Sequence, residues 1–168
     1  MGIFDLEHAN AHAKERLVIG LNGEGAHMQI ANAVKDFPPD LRDAKPNNVP
    51  YTFWHQLEHI RITQWDILKY VVDTRHVSPP WPTGYWPATS ALSTDDSWKA
   101  SIEQYYADLE ECITLINRND INVLEPVAHN SGRSIMGSML IVIDHTSYHS
   151  GEFVMGRQIL GAWESELA

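Results

Sequence analysis

The stretch from Ile135 to Leu160 constrains the fold most. Leu140, Ile141, Ile143, Tyr148, Phe153, Met155, Ile159 and Leu160 recur in it at mixed three- and four-residue spacings, so it reads as one long helix. Set into that run, His145 and His149 stand four apart and are neighbours on one helix face. Two imidazoles so placed can turn a ring nitrogen toward a single ion. Thr146 follows the first of them, so the H-E-x-x-H pattern of a zinc protease is absent. Glu152 comes three residues after His149 and seven after His145, which puts a carboxylate on the same stripe. Gly151 leaves out a side chain beside the pair, where another helix or a ligand is expected to approach.

A run of this kind needs other helices to cover it. The chain has 168 residues, enough for a single domain, 1–168, with a real core. Hydrophobic residues make up 43% of it and no segment is of low complexity, which argues against disorder. Its net charge is −10 and it has no basic run. Duplex DNA, RNA and anionic membranes all need clustered Lys and Arg, so none is an expected partner. The expected partners are a small-molecule substrate and, at most, a second copy of the chain in a homodimer. Cys112 is the single cysteine, so there is no internal disulfide and no Cys-based metal cluster. The start, MGIFDLEHAN, carries acids where a signal peptide needs positive charge, and Leu6 stands where myristoylation prefers Ser or Thr. The expected location is the cytoplasm.

In chain order, residues 3 to 20 read as an Ala-rich helix, broken by Gly20, Asn22, Gly23 and Gly25. A second short helix is expected from Ala26 to Lys35, followed by the Pro- and Asp-rich connection DFPPDLRDAKPNNVP. Thr52 can cap a helix from Phe53 to about Asp73, with Trp54, Leu57, Ile60, Ile67, Leu68 and Val71 on its apolar face. After the loop VSPPWPTGYWPATSALS, Ser93 or Thr94 starts a further helix, favoured by Asp95 and Asp96. Trp98, Ile102, Tyr105, Leu109, Cys112, Ile113 and Ile116 carry it to about Asn117. The segment NRNDINVLEPVAHNSGR reads as a loop, and Gly161 ends the last helix. No strand pattern is evident. The expected architecture is all-α, an up-and-down four-helix bundle with a broken first helix and long loops.

Histidine occurs four apart three times, at His8 and His12, at His55 and His59, and at His145 and His149. Random placement of nine would give roughly half a pair. Bundle metal sites draw ligands from facing helices, so the final pair needs a partner from elsewhere. The long, central helix carrying His59 is the best supplier.

The two segments WHQLEHIRITQWDIL and IDHTSYHSGEF, in that order and separation, resemble the DinB-like (DinB/YfiT) family of metal-dependent enzymes. The resemblance spans nearly the whole chain, and the pieces LEH, DH, YH and the following Gly151 share in it. It implies a four-helix bundle holding one divalent ion, with His59 in the place of the first ligand and His145 and His149 in the places of the other two. The family's activities imply transfer or isomerisation dependent on a low-molecular-weight thiol, or hydrolysis. One position departs from the pattern: Glu152 stands where the family more often has Gln.

Three imidazoles leave a position for water or substrate, which is the pattern of a catalytic site. Zn, Ni and Fe(II) all suit such ligands. The plain alternative is three polar residues satisfied at helix interfaces. Glu152 is the candidate catalytic base, able to take a proton from water or a thiol; the alternatives are a fourth metal ligand, a partner holding a histidine N–H, or a surface residue. His55 shares a face with His59 and is a ligand in its stead, a neighbour lining the pocket or, in the preferred reading, a residue at the solvated start of the helix. Asp66, seven after His59, suits support of a ligand. Asp144 and Glu58 precede ligands and point elsewhere, and Tyr148 is expected in the core. His8 and His12 are expected in solvent, while His27 and His129 adjoin loops that could reach the pocket mouth. The PPWPTGYWP loop is read first as a rigid plug on the bundle rim or at a subunit contact and second as a pocket cover using Trp81, Tyr85 and Trp86. Cys112 falls on an apolar face, so any thiol chemistry needs a cosubstrate. The reading outside catalysis is a bundle that binds a metal or small ligand.

Overall fold

The computed structural model describes residues 6–127 and 129–163. Residues 1–5, which hold Gly2 and the first three residues of the first expected helix, lie outside them. Five helices carry the fold: α1 (Leu6–Leu21), α2 (Ile30–Val34), α3 (Phe53–Val72), α4 (Asp95–Asn117) and α5 (Ile135–Ile159). The four long ones form a ring in which α3 packs on α4 and α5, and α1 closes the other side against the same two. The fold is therefore an all-α bundle.

Local chemistry sets the helix starts. The Thr52 hydroxyl accepts the His55 N–H at 3.1 Å, and Thr94 and Ser97 form a reciprocal capping box at the head of α4. Ser134 caps α5 by accepting the Gly137 N–H at 3.0 Å. Gly161, at φ +63°, turns the chain just beyond the end of α5.

Two expectations fail. The second helix has five residues, Ile30–Val34, and does not begin at Ala26. Gly23 at φ +68° starts a turn, and Gln29 is extended, its amide donating to the Asn22 carbonyl at 2.9 Å. That side-chain bond holds residues 22–29 as a loop. The segment before α5 is not all loop either: β1 (Pro126–Val127) pairs antiparallel with β2 (Asn130–Ser134). Strands this short carry no readable alternation.

The core follows the expected faces. Trp54, Leu57, Ile60, Ile67 and Leu68 of α3 are buried, with Val71 half-buried, and Trp98, Tyr105, Leu109, Cys112 and Ile116 of α4 are buried too. Phe153 sits among Phe53, Phe37 and Trp98 at ring separations of 5.0, 5.4 and 6.4 Å. Burying a ring of this size contributes about 1.5–3 kcal/mol. A Cβ on Gly156 would meet the Phe53 ring at 2.9 Å, so this glycine is where α3 and α5 come close. No other helix approaches Gly151, where an added Cβ would meet nothing within 4 Å.

Helix α5 is apolar nearly all round, which is why its burial was not readable from spacing. Leu140, Ile141, Tyr148, Met155 and Ile159 are all exposed, while Ile135, Met139, Val142 and Phe153 enter the core. No described helix is long and apolar enough to cross a membrane.

Candidate metal centre

Helices α3 and α5 face each other along the stripe that carries the histidines. His59 and His149 are buried and His145 is half-buried. One ring nitrogen from each lies within 4.8 Å of the other two. The Nε2 atoms of His59 and His145 are 3.0 Å apart. Two donors bound to one ion at ~2.0–2.1 Å, at right-angled or tetrahedral directions, lie about 2.9–3.4 Å apart. The observed separation fits an edge of such a coordination shell.

The tautomers fit as well. His59 donates its Nδ1 proton to the Tyr85 carbonyl at 2.8 Å, and His149 donates its own to Glu152 Oε2 at 2.7 Å. Both rings therefore keep the Nε2 lone pair for an ion. Burial lowers the pKa of His59, and burial with the adjoining His149 and His59 rings pushes His145 down to about 3. Neutral imidazole, the ligating form, is thus held to acid pH.

This depression fixes a stability trend for the metal-free protein. The unfolded chain takes up a proton on His145 near pH 6.5 while the folded chain does not. Stability is therefore present above that pH and is lost as pH falls below it, by up to about 1.4 kcal/mol per pH unit for this group. Chemical denaturation of chelator-treated protein at pH 7.5 and pH 5.5 should show the loss. His145→Gln should flatten it; an unchanged slope would contradict neutral burial of this ring.

Glu152 stands behind the cluster on the Nδ1 side of His149. Its Oε2 also accepts from the Tyr51 hydroxyl at 2.9 Å and from Gln56 Nε2 at 3.0 Å. Burial acts to raise its pKa, but hydrogen bonds from Tyr148, Tyr51 and His149 outweigh that and hold it below the usual carboxylate range. Burial and the neighbouring Glu152 in turn push the Tyr51 phenol up. Tyr148 is 63% exposed and bonds to Glu152, so it does not pack in the core as expected.

The aromatic loop belongs to the site and is not a plug on the rim. Trp86 stacks on the His59 ring at 3.8 Å and 5°, and Tyr51 stacks on Trp86 at 5.0 Å. Tyr85 supplies the carbonyl that orients His59, and its hydroxyl donates to Asp66 Oδ2 at 2.6 Å. Asp66 is also within 2.7 Å of His76 Nε2. It supports His59 through Tyr85 and makes no direct contact with the ring. Trp81 remains 73% exposed, its ring 5.3 Å from that of Tyr85 and not over the histidines. Tyr85→Phe keeps the carbonyl and loses its anchor, so affinity for a divalent ion should drop by less than the ~10–100-fold of a lost direct partner. Titration calorimetry reads this.

His55 is buried, not solvated, because its Nε2 lies 3.1 Å from the Ala91 carbonyl. That bond takes its ring out of the cluster. His8 and His12 are exposed, as expected, and Asp144 points to solvent. Glu58 turns to Arg61 and Ser101. His27 sits by the Met28 carbonyl and His129 against the Tyr70 ring, both outside the cluster. Burial pushes the Cys112 thiol up to about 12, which leaves it inert. Tyr51, Gln56 and the Tyr85 carbonyl went unread in the sequence. Only Gln56 carried a signal, one turn before His59 on the same face.

The family model described as the DinB superfamily matches residues 24–153. No curated protein and no solved structure matches the chain.

Proposed function

The chain belongs to the DinB superfamily, and from that membership we propose that it is an enzyme dependent on one divalent ion held by His59, His145 and His149. The convergence of one ring nitrogen from each of three histidines, two of them with their tautomers fixed from behind, carries this reading. Zn, Ni and Fe(II) suit three imidazoles. Bound there, the ion would supply Lewis acidity and make water or a thiol nucleophilic at neutral pH.

The chain's own residues do the rest. Glu152, held below the usual carboxylate range, fixes the His149 ring from behind, and in this reading it is also the proton acceptor for the incoming nucleophile. Trp86 roofs His59 and keeps water from that side of the ring. Beside Glu152, a cleft of about 180 Å³ is walled by Val49, Phe53, Met155 and Ile159, room for a small apolar arm of a substrate. With Cys112 buried, a thiol nucleophile comes as a low-molecular-weight cosubstrate. Transfer or isomerisation with such a thiol is the preferred reaction, with hydrolysis second.

Glu152 already has Tyr51, Gln56, Tyr148 and His149 as partners, which favours the second reading, a bundle that binds a metal or ligand without turnover. Metal-loaded protein offered electrophiles with a panel of small thiols, and hydrolytic substrates separately, decides between them. Turnover that requires the thiol supports transfer. Full metal occupancy with neither reaction supports the binding bundle.

A further inference from the structure

A second cavity, of about 550 Å³, opens between α1, α4 and α5, and neither the three histidines nor Glu152 lines it. Its size suits a small organic ligand. Leu21, Ile30, Leu109 and Ile143 give it an apolar wall, and the Tyr105 and Tyr106 rings stand edge to face, 5.2 Å apart. Gln64 of α3 also lines it and is buried. The Gln64 amide donates to the Tyr105 carbonyl at 2.7 Å, and its Oε1 has no hydrogen-bond partner. Flipping the amide would set oxygen against that carbonyl, so the acceptor is the group left over.

The charge is one-sided. Glu24 and Glu110 line the cavity as exposed carboxylates, and no Lys or Arg does. The one lining histidine, His27, has its Nδ1 beside the Met28 carbonyl. An anion entering would meet two carboxylates with no cation to offset them. A cation would meet complementary charge and aromatic rings. We infer that this cavity is a second binding site, for a small organic cation: a protonated amine carried on an apolar or aromatic body. The ammonium N–H groups supply the kind of donor that Gln64 Oε1 is without, and the carbon body replaces water on Leu21, Leu109 and Ile143.

The test is calorimetric titration of the untagged protein at neutral pH with phenethylamine, and with 3-phenylpropionate as a carboxylate of matching size. The amine should bind saturably, one per chain, and the carboxylate should not. Binding should be unchanged in the His145→Ala, His149→Ala variant, which separates this site from the metal centre. Glu24→Gln with Glu110→Gln, both at exposed positions, should weaken it about fivefold. Equal binding of the carboxylate, absence of saturable amine binding, loss of binding in the histidine variant, or indifference to the two Glu changes would each overturn the inference.

Discussion

Replacing His145 and His149 together by Ala should abolish divalent-ion binding, a larger loss than the ~10–100-fold expected when only a supporting partner is removed. Two of three converging nitrogens disappear, and what remains is a single buried imidazole already stacked under Trp86. His55→Ala should leave affinity nearly unchanged, because that ring is tied to the Ala91 carbonyl. His59→Ala should lose most of it. Calorimetric titration of the untagged variants separates these outcomes. Retained affinity in the double variant would mean that the ion sits elsewhere. The converse pattern at His55 and His59 would move the site one turn toward the start of α3.

Glu152→Gln should keep the ion and lower turnover about 10²-fold or more. The amide oxygen can take the place of Oε2 and accept from Tyr51, Gln56 and His149, so the ring behind the cluster stays oriented. What is lost is the negative charge, and with it the proton acceptor. A drop in turnover with full metal occupancy supports the general base. If affinity falls with turnover, the carboxylate acts by holding His149; if neither moves, it is outside the chemistry.

Much of this was legible in the chain because it rests on period and capping. Thr52, Thr94 and Gly161 mark helix ends through local bonds or local dihedrals, and the α3 and α4 faces follow from their 3–4 rhythm. The histidine pair on α5 was readable for the same reason. What was not legible depends on contacts far apart in sequence. His55 and His59 share a face, and only the Ala91 and Tyr85 carbonyls, brought in by the aromatic loop, divide their roles. Trp86 over His59 and Tyr51 at Glu152 are of the same kind, since a Pro-rich loop has no period from which to read where it lands. Helix α5 misled in another way. With apolar residues nearly all round it, spacing could not tell exposed Leu140 and Met155 from buried Met139 and Phe153.

The most direct measurement is elemental analysis of the untagged protein, purified without chelator and then titrated with Zn, Ni and Fe(II). Three imidazoles closing on one point should hold about one ion per chain, released by a strong chelator and regained on adding metal back. Protein that emerges free of metal and takes up none of the three ions at neutral pH would contradict the metal centre, and would leave His59, His145 and His149 as a hydrogen-bonded cluster between two helices.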